Sequence, residues 1–127
     1  MSAAPLSTVD LQRLVFLYLS VAYETDRNFD PNEHNTILRI VHRWMPEMTI
    51  AEINEVVETA HKAIRRGMSE TPETLACAVG TNLSPEMRRR VLTNLGQVAR
   101  ADGYLSLSEA RVIRRVRAAL ETVDAQE

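Results

Sequence analysis

Two stretches of this chain carry nearly the same pattern, 76 residues apart. Leu95 to Glu109, LGQVARADGYLSLSE, reads as the end of one helix, a tight Asp102-Gly103 turn and the capped start of the next. Leu19 to Glu33, LSVAYETDRNFDPNE, repeats it, with Asp26 standing to Glu33 as Asp102 stands to Glu109. In that register Ile37 falls on Ile113, Ile40 on Val116 and Trp44 on Leu120. A fixed-offset echo of acidic and apolar positions predicts two related helix-turn-helix units within one fold. With two copies it is an internal duplication, not a solenoid.

The segments around these turns carry helical spacing. Leu11, Leu14, Val15, Tyr18, Val21 and Ala22 recur at that spacing, and Phe16, Leu17 and Leu19 make the segment apolar nearly all round. A helix of that kind is a buried one, so residues 8–25 are expected to form the central core helix, with Ser7 and Asp10 as a capping box. Asp30, Pro31 and Glu33 fit the N-cap, N1 and N3 positions of a second helix. Its apolar side is Ile37, Leu38, Ile40, Val41 and Trp44, and Pro46 ends it. Thr49 and Glu52 spell another capping box ahead of Ile53, Val56, Val57, Ala60 and Ile64, and Gly67 stops that third helix. Pro72 opens a brief fourth helix with Leu75, Ala78, Val79 and Leu83.

Ser84-Pro85-Glu86 starts the fifth helix, with Val91, Leu92, Leu95, Val98 and Ala99 inward and Asp102-Gly103 at its end. Ser106 and Glu109 cap the last, whose apolar positions are Ile113, Val116, Leu120 and Val123. No alternating, β-branched run of strand length is present. The expectation is an all-α fold, a single compact domain of about six helices. Repeat units at about 8–45 and 85–122 are joined in it by helices within 50–83.

Bulk properties narrow the function classes. A chain of 127 residues with 45% hydrophobic and 25% charged content is an ordinary globular domain. A net charge of -2 argues against general nucleic-acid or anionic-membrane binding and leaves only local patches for it. No apolar run reaches the roughly 18 residues of a membrane span. MSAAPLSTVD lacks the charged and apolar regions of a secretory signal, and a lone Cys77 excludes an internal disulfide. A cytoplasmic location is the expectation.

VARADGYLSLSEARVIRRV resembles the TerB-like domains of tellurite-resistance proteins and of some membrane-associated DnaJ co-chaperones. Ala101, Asp102, Gly103 and Glu109 match the Ala-Asp-Gly turn and following capping glutamate of those domains, and the resemblance extends over residues 8–122. The first unit departs from it, because Thr25-Asp26-Arg27 replaces Ala-Asp-Gly and Asn28 is left to take the left-handed conformation. The resemblance implies a wholly helical domain without catalytic activity. It further implies a role in stress responses to metal or metalloid oxyanions, and assemblies near membranes. It also implies divalent-cation binding through Asp26, Glu33, Asp102 and Glu109.

The residues themselves leave two readings of these turns open. Asp26, Asn28 and Asp30 have the spacing with which an EF-hand begins, but Pro31 and Ile37 stand where Gly and a bidentate Glu are needed. If the two turns lie side by side, Asp26, Asp30, Glu33, Asp102 and Glu109 offer oxygens to one hard cation, calcium, magnesium or manganese. Against that, Glu33 and Glu109 sit where capping-box glutamates are expected, and Asp30 and Ser106 occupy the matching caps.

Other candidates are weaker. His34, His42 and His61 form no closely spaced ligand pair and read as half-buried helix residues. Cys77, among Leu75, Ala76, Ala78 and Val79, reads as a small buried hydrophobe. Arg88, Arg89 and Arg90 form a basic run, and Arg111, Arg114 and Arg115 share a face of the last helix with Arg117 nearby. Such a face docks a protein partner, binds phosphates or is merely solvated. Trp44, Met45 and Met48 belong either to the core or to a dimer surface. The leading expectation is a non-enzymatic interaction module. The alternatives are a small enzyme or redox protein using the acidic turns or Cys77, and a nucleic-acid adaptor using the arginine face.

Overall fold

Each helix begins where the sequence supplies a local cap. In the computed structural model, which describes residues 6–25, 31–67, 70–101 and 107–126, the elements are α1 (Thr8–Thr25), α2 (Pro31–Trp44), α3 (Ile50–Arg65), α4 (Pro72–Gly80), α5 (Pro85–Ala99) and α6 (Leu107–Ala125). Thr49 Oγ1 accepts from the Glu52 amide at 3.1 Å, and Glu52 Oε1 accepts from the Thr49 amide at 2.8 Å, completing the expected capping box of α3. The Thr49 amide first, and the Thr49 side chain after it, hold the Glu52 carboxyl below its ordinary range. Thr71 and Ser84 cap α4 and α5 the same way, each followed by proline at N1. Arg66 is the C-cap of α3, and Gly67 then takes φ +72°, a left-handed conformation that glycine adopts without strain.

The cap of α1 departs from expectation. Ser7 Oγ accepts from the Asp10 amide at 3.1 Å, as a cap should. The Asp10 carboxylate, however, accepts from Asn82 Nδ2 at 3.0 and 3.2 Å and from Arg13 at 3.3 Å. A local cap has become a tertiary clamp between the start of α1 and the α4–α5 connection.

All six elements are α helices, and no strand occurs among the described residues. α1 is the central element: it packs against each of the other five helices. Leu14, Val15, Leu17, Tyr18, Leu19, Val21 and Ala22 are all fully buried, which is why the segment is apolar on nearly every face. Trp44 is likewise in the core, and Met45 and Met48 are half-buried against it, so this cluster belongs to the core.

A buried polar pair joins α1 to α5. Asn94 Nδ2 donates to the Tyr18 hydroxyl at 2.9 Å, across 76 positions of sequence. Burial pushes the Tyr18 phenol well above its ordinary value, and the bond from Asn94 opposes that shift. The Trp44 indole N–H faces the same phenol without reaching normal hydrogen-bond geometry.

Two expected faces are turned. In α6 the buried positions are Val112, Val116, Leu120 and Val123, while Ile113 is half-buried. α6 packs on α4 as well as on α1 and α5, whereas α2 packs on α1, α3 and α5, so the duplicated helices meet different neighbours. Arg88 also leaves the basic run: it is 1% exposed, with Nε donating to the Gly80 carbonyl at 2.9 Å and Nη1 paired with Asp124. It ties the end of α4 to α5 and to the end of α6.

Candidate interaction site

The arginines of the last third of the chain are sorted by the packing of α5 and α6. Arg88 is internal, and Arg90 stacks on Trp44 with its guanidinium 4.1 Å from the ring centroid. Of the three arginines singled out on α6, Arg115 turns toward α4, with Nε 3.7 Å from Glu73 Oε2. Arg111 is exposed, and Arg114 lines a groove between α5 and α6.

That groove encloses about 450 Å³. Leu92, Thr93, Gly96, Gln97 and Arg100 line it from α5, and Ala110, Ile113, Arg114 and Arg117 line it from α6. On α6 these are positions i, i+3, i+4 and i+7, a single stripe two turns long. The floor is apolar, formed by Leu92, Ala110 and Ile113, and the charged groups at its edge are all guanidinium. Among the described residues no ion pair engages Arg100, Arg114 or Arg117. Ile113 is half-buried: it packs against the core and also lines this groove.

A second, smaller groove lies between α1 and α3. It encloses about 350 Å³, with Phe16, Val56 and Ala60 below and Glu52 and Glu55 at the rim. The two grooves thus carry opposite charge.

The acidic turns are placed only in part. Asp26, Asp30 and Asp102 lie outside the described residues, as does Ser106. Glu33 and Glu109 lie in the first turns of α2 and α6, 1% and 4% exposed, and both are engaged in polar interactions. A carboxylate in the first turn of a helix is favoured by the positive end of the macrodipole. No group of three or more histidine, cysteine or acidic side chains suited to a metal ion occurs among the described residues.

The histidines and the cysteine have structural settings. His34 Nε2 lies 3.0 Å from Asn54 Oδ1, which makes this nitrogen the donor, and 3.9 Å from Glu58. His61 is held below its ordinary value, chiefly by burial and then by Arg65, with Glu58 opposing and His34 reinforcing. Cys77 is half-buried, not buried, with Sγ 3.9 Å from the Ala119 carbonyl.

Sequence reasoning missed Arg100 and Gly96 as members of the groove. A glycine inside an amphipathic helix was the available signal, since it costs helix stability without a turn to justify it.

No helix among the described residues is long and apolar enough to cross a membrane. No curated protein and no solved structure matches the chain significantly. A family model described as Tellurite resistance protein TerB matches residues 11–126, nearly the whole chain. All-helical and matched over nearly its whole length, the chain belongs to the TerB family.

Proposed function

We propose that this chain is a non-catalytic helical module that acts by protein–protein interaction, and that the α5–α6 groove is its docking surface. The observation that carries the reading is the groove itself: an apolar floor edged by Arg100, Arg114 and Arg117, none in an ion pair with a described residue. Arginines beside a concave apolar surface are typical of interfaces, where they supply directional bonds at the rim of a buried patch. The family description extends the proposal to an adaptor in a stress response to metal or metalloid oxyanions. A cytoplasmic place, peripheral to a membrane assembly, fits that role.

The test is a photo-crosslinking residue at Gln97, in the groove, and at Glu58, on the far helix α3, in the intact chain within its native cell. The expected result is a discrete crosslinked protein from position 97 that is absent from position 58 and lost with Arg114→Glu/Arg117→Glu. Equal crosslinking from both positions, or none from position 97, overturns the reading.

A divalent cation at the acidic turns is a second reading, favoured by the burial of Glu33 and Glu109 at equivalent positions of the two units. Under it, Asp26, Asp30 and Asp102 join them around calcium, magnesium or manganese, hard ions that take oxygen ligands. Calorimetric titration of each ion into the native chain and into Asp26→Asn/Asp102→Asn tests it. Saturable heat lost in the double variant is the expected result, and no heat from the native chain removes the reading.

A further inference from the structure

The groove has a shape and a charge that specify its occupant. Its α6 wall is the stripe Ala110, Ile113, Arg114 and Arg117, and its α5 wall runs from Leu92 to Arg100. At 1.5 Å per residue each wall is about 10–12 Å long, roughly the contact length of a two-turn helical stripe. Helices joined by a short connection lie antiparallel, which sets Arg100 at one end of the groove and Arg117 at the other. Cations thus stand at both ends and on one side of an apolar floor.

Gly96 is an independent observation pointing the same way. It lies inside α5, where glycine costs about 0.5–1 kcal/mol relative to alanine. Its φ is not positive, and a Cβ built there would meet, among the described residues, only Arg100 Nη1 at an ordinary 3.7 Å. Gly80 is different: there a Cβ would come within 2.7 Å of Leu120. Nothing described inside the fold requires Gly96 to lack a side chain, yet it faces the groove opposite Ala110. Small residues on both walls leave room for a backbone to approach closely.

Resting on the groove as the docking surface, we infer that its occupant is an acidic amphipathic helix of a partner protein. Apolar side chains at i, i+3 or i+4 and i+7 enter over Leu92 and Ile113, and flanking carboxylates meet Arg100, Arg114 and Arg117 in charge-assisted pairs. A single-stranded nucleic acid fits less well, because the described lining has no aromatic ring for base stacking. A membrane surface fits less well too, since the apolar residues lie in a concavity and do not protrude.

The probe is a designed fluorescent peptide of about 15 residues, with leucine along one helical stripe and glutamate on both flanks, long enough to carry the contact. Binding to the intact chain is read by anisotropy and located by amide chemical shifts, beside three competitors: the same peptide with lysine for glutamate, a single-stranded RNA, and phosphatidylglycerol vesicles. The inference expects the acidic peptide alone to bind, with shifts confined to α5 and α6. Arg114→Glu/Arg117→Glu then weakens it at least about tenfold, and Gly96→Leu, which fills the floor without adding charge, weakens it by about tenfold or more. Thermal melts of both variants confirm that they fold.

Binding indifferent to Gly96→Leu reduces the effect to diffuse charge attraction and overturns the inference. Preferential binding of RNA or vesicles through the same arginines overturns it in favour of a phosphate-bearing partner. If the peptide fails to bind while position 97 still crosslinks a protein, the groove remains a docking surface and the acidic helix is wrong. If position 97 crosslinks nothing and the peptide fails as well, both fall.

Discussion

Glycine acts in different ways at Gly80 and Gly67, and single substitutions test each. At Gly80, α4 approaches α6 so closely that an added Cβ would lie 2.7 Å from Leu120 Cδ2, a side chain only 1% exposed. Gly80→Ala gains helix propensity but forces the core apart, and the expected net loss is about 1–3 kcal/mol in urea unfolding. At Gly67 there is open space on every side but φ is +72°, so Gly67→Ala is strained by conformation alone, costing about 1–2 kcal/mol. No loss at Gly80, or none at Gly67, contradicts these assignments. His61 adds a pH term of known sign. Its folded value lies below its ordinary 6.5, so between those values the unfolded chain binds more protons than the folded one. Its stabilising contribution is complete above 6.5 and is lost as pH falls toward the folded value. The charged groups acting on it are Arg65, Glu58 and His34. His61→Gln is expected to flatten the pH dependence of the melting temperature in that interval, and an unchanged slope removes the assignment.

At the scale of the element, the chain was legible wherever structure is set by neighbours in sequence. Ser, Thr and Pro at helix starts, Pro46 after α2 and Gly67 after α3 act through backbone geometry within a turn, so those boundaries followed from local chemistry, whereas α4 stops at Gly80, before the Leu83 that spacing assigned to it. Thr49→Ala is expected to cost about 1 kcal/mol by removing the capping box of α3. It should also raise the Glu52 carboxyl only part of the way to its ordinary range, because the residue 49 amide still donates to it, and carbon NMR titration can follow this. A titration of Glu52 unmoved by Thr49→Ala shows that the threonine hydroxyl is not among its causes. What spacing did not reveal is what tertiary neighbours decide. Arg88 stands in a run of three arginines and nothing local distinguishes it, yet it is the one drawn inward, by the Gly80 carbonyl and Asp124. Asp10 has a capping position but serves Asn82, 72 residues away. Spacing singled out Arg114 among the residues that line the groove, whereas Arg100 is brought to it only by the pairing of α5 with α6.

For the whole molecule, the joint between α1 and α5 ties the start of the chain to its last third. Tyr18 and Asn94, 76 residues apart, interlock there, the phenol accepting and the amide donating. Charge divides the chain as well. Eight of the chain's 15 basic residues fall between Arg88 and Arg117, while α3 exposes Glu52, Glu55 and Glu58. The second half is the basic one. The Tyr18–Asn94 joint is testable by a double-mutant cycle. Tyr18→Phe strands the Asn94 amide in a buried site, and Asn94→Leu strands the Tyr18 hydroxyl, each at an expected cost of about 1–3 kcal/mol. The double variant strands neither the amide nor the phenol, so it should be more stable than the sum of the single losses predicts, by about 1 kcal/mol or more. Strict additivity would mean that the two side chains do not meet, and that α1 and α5 are not joined at this point.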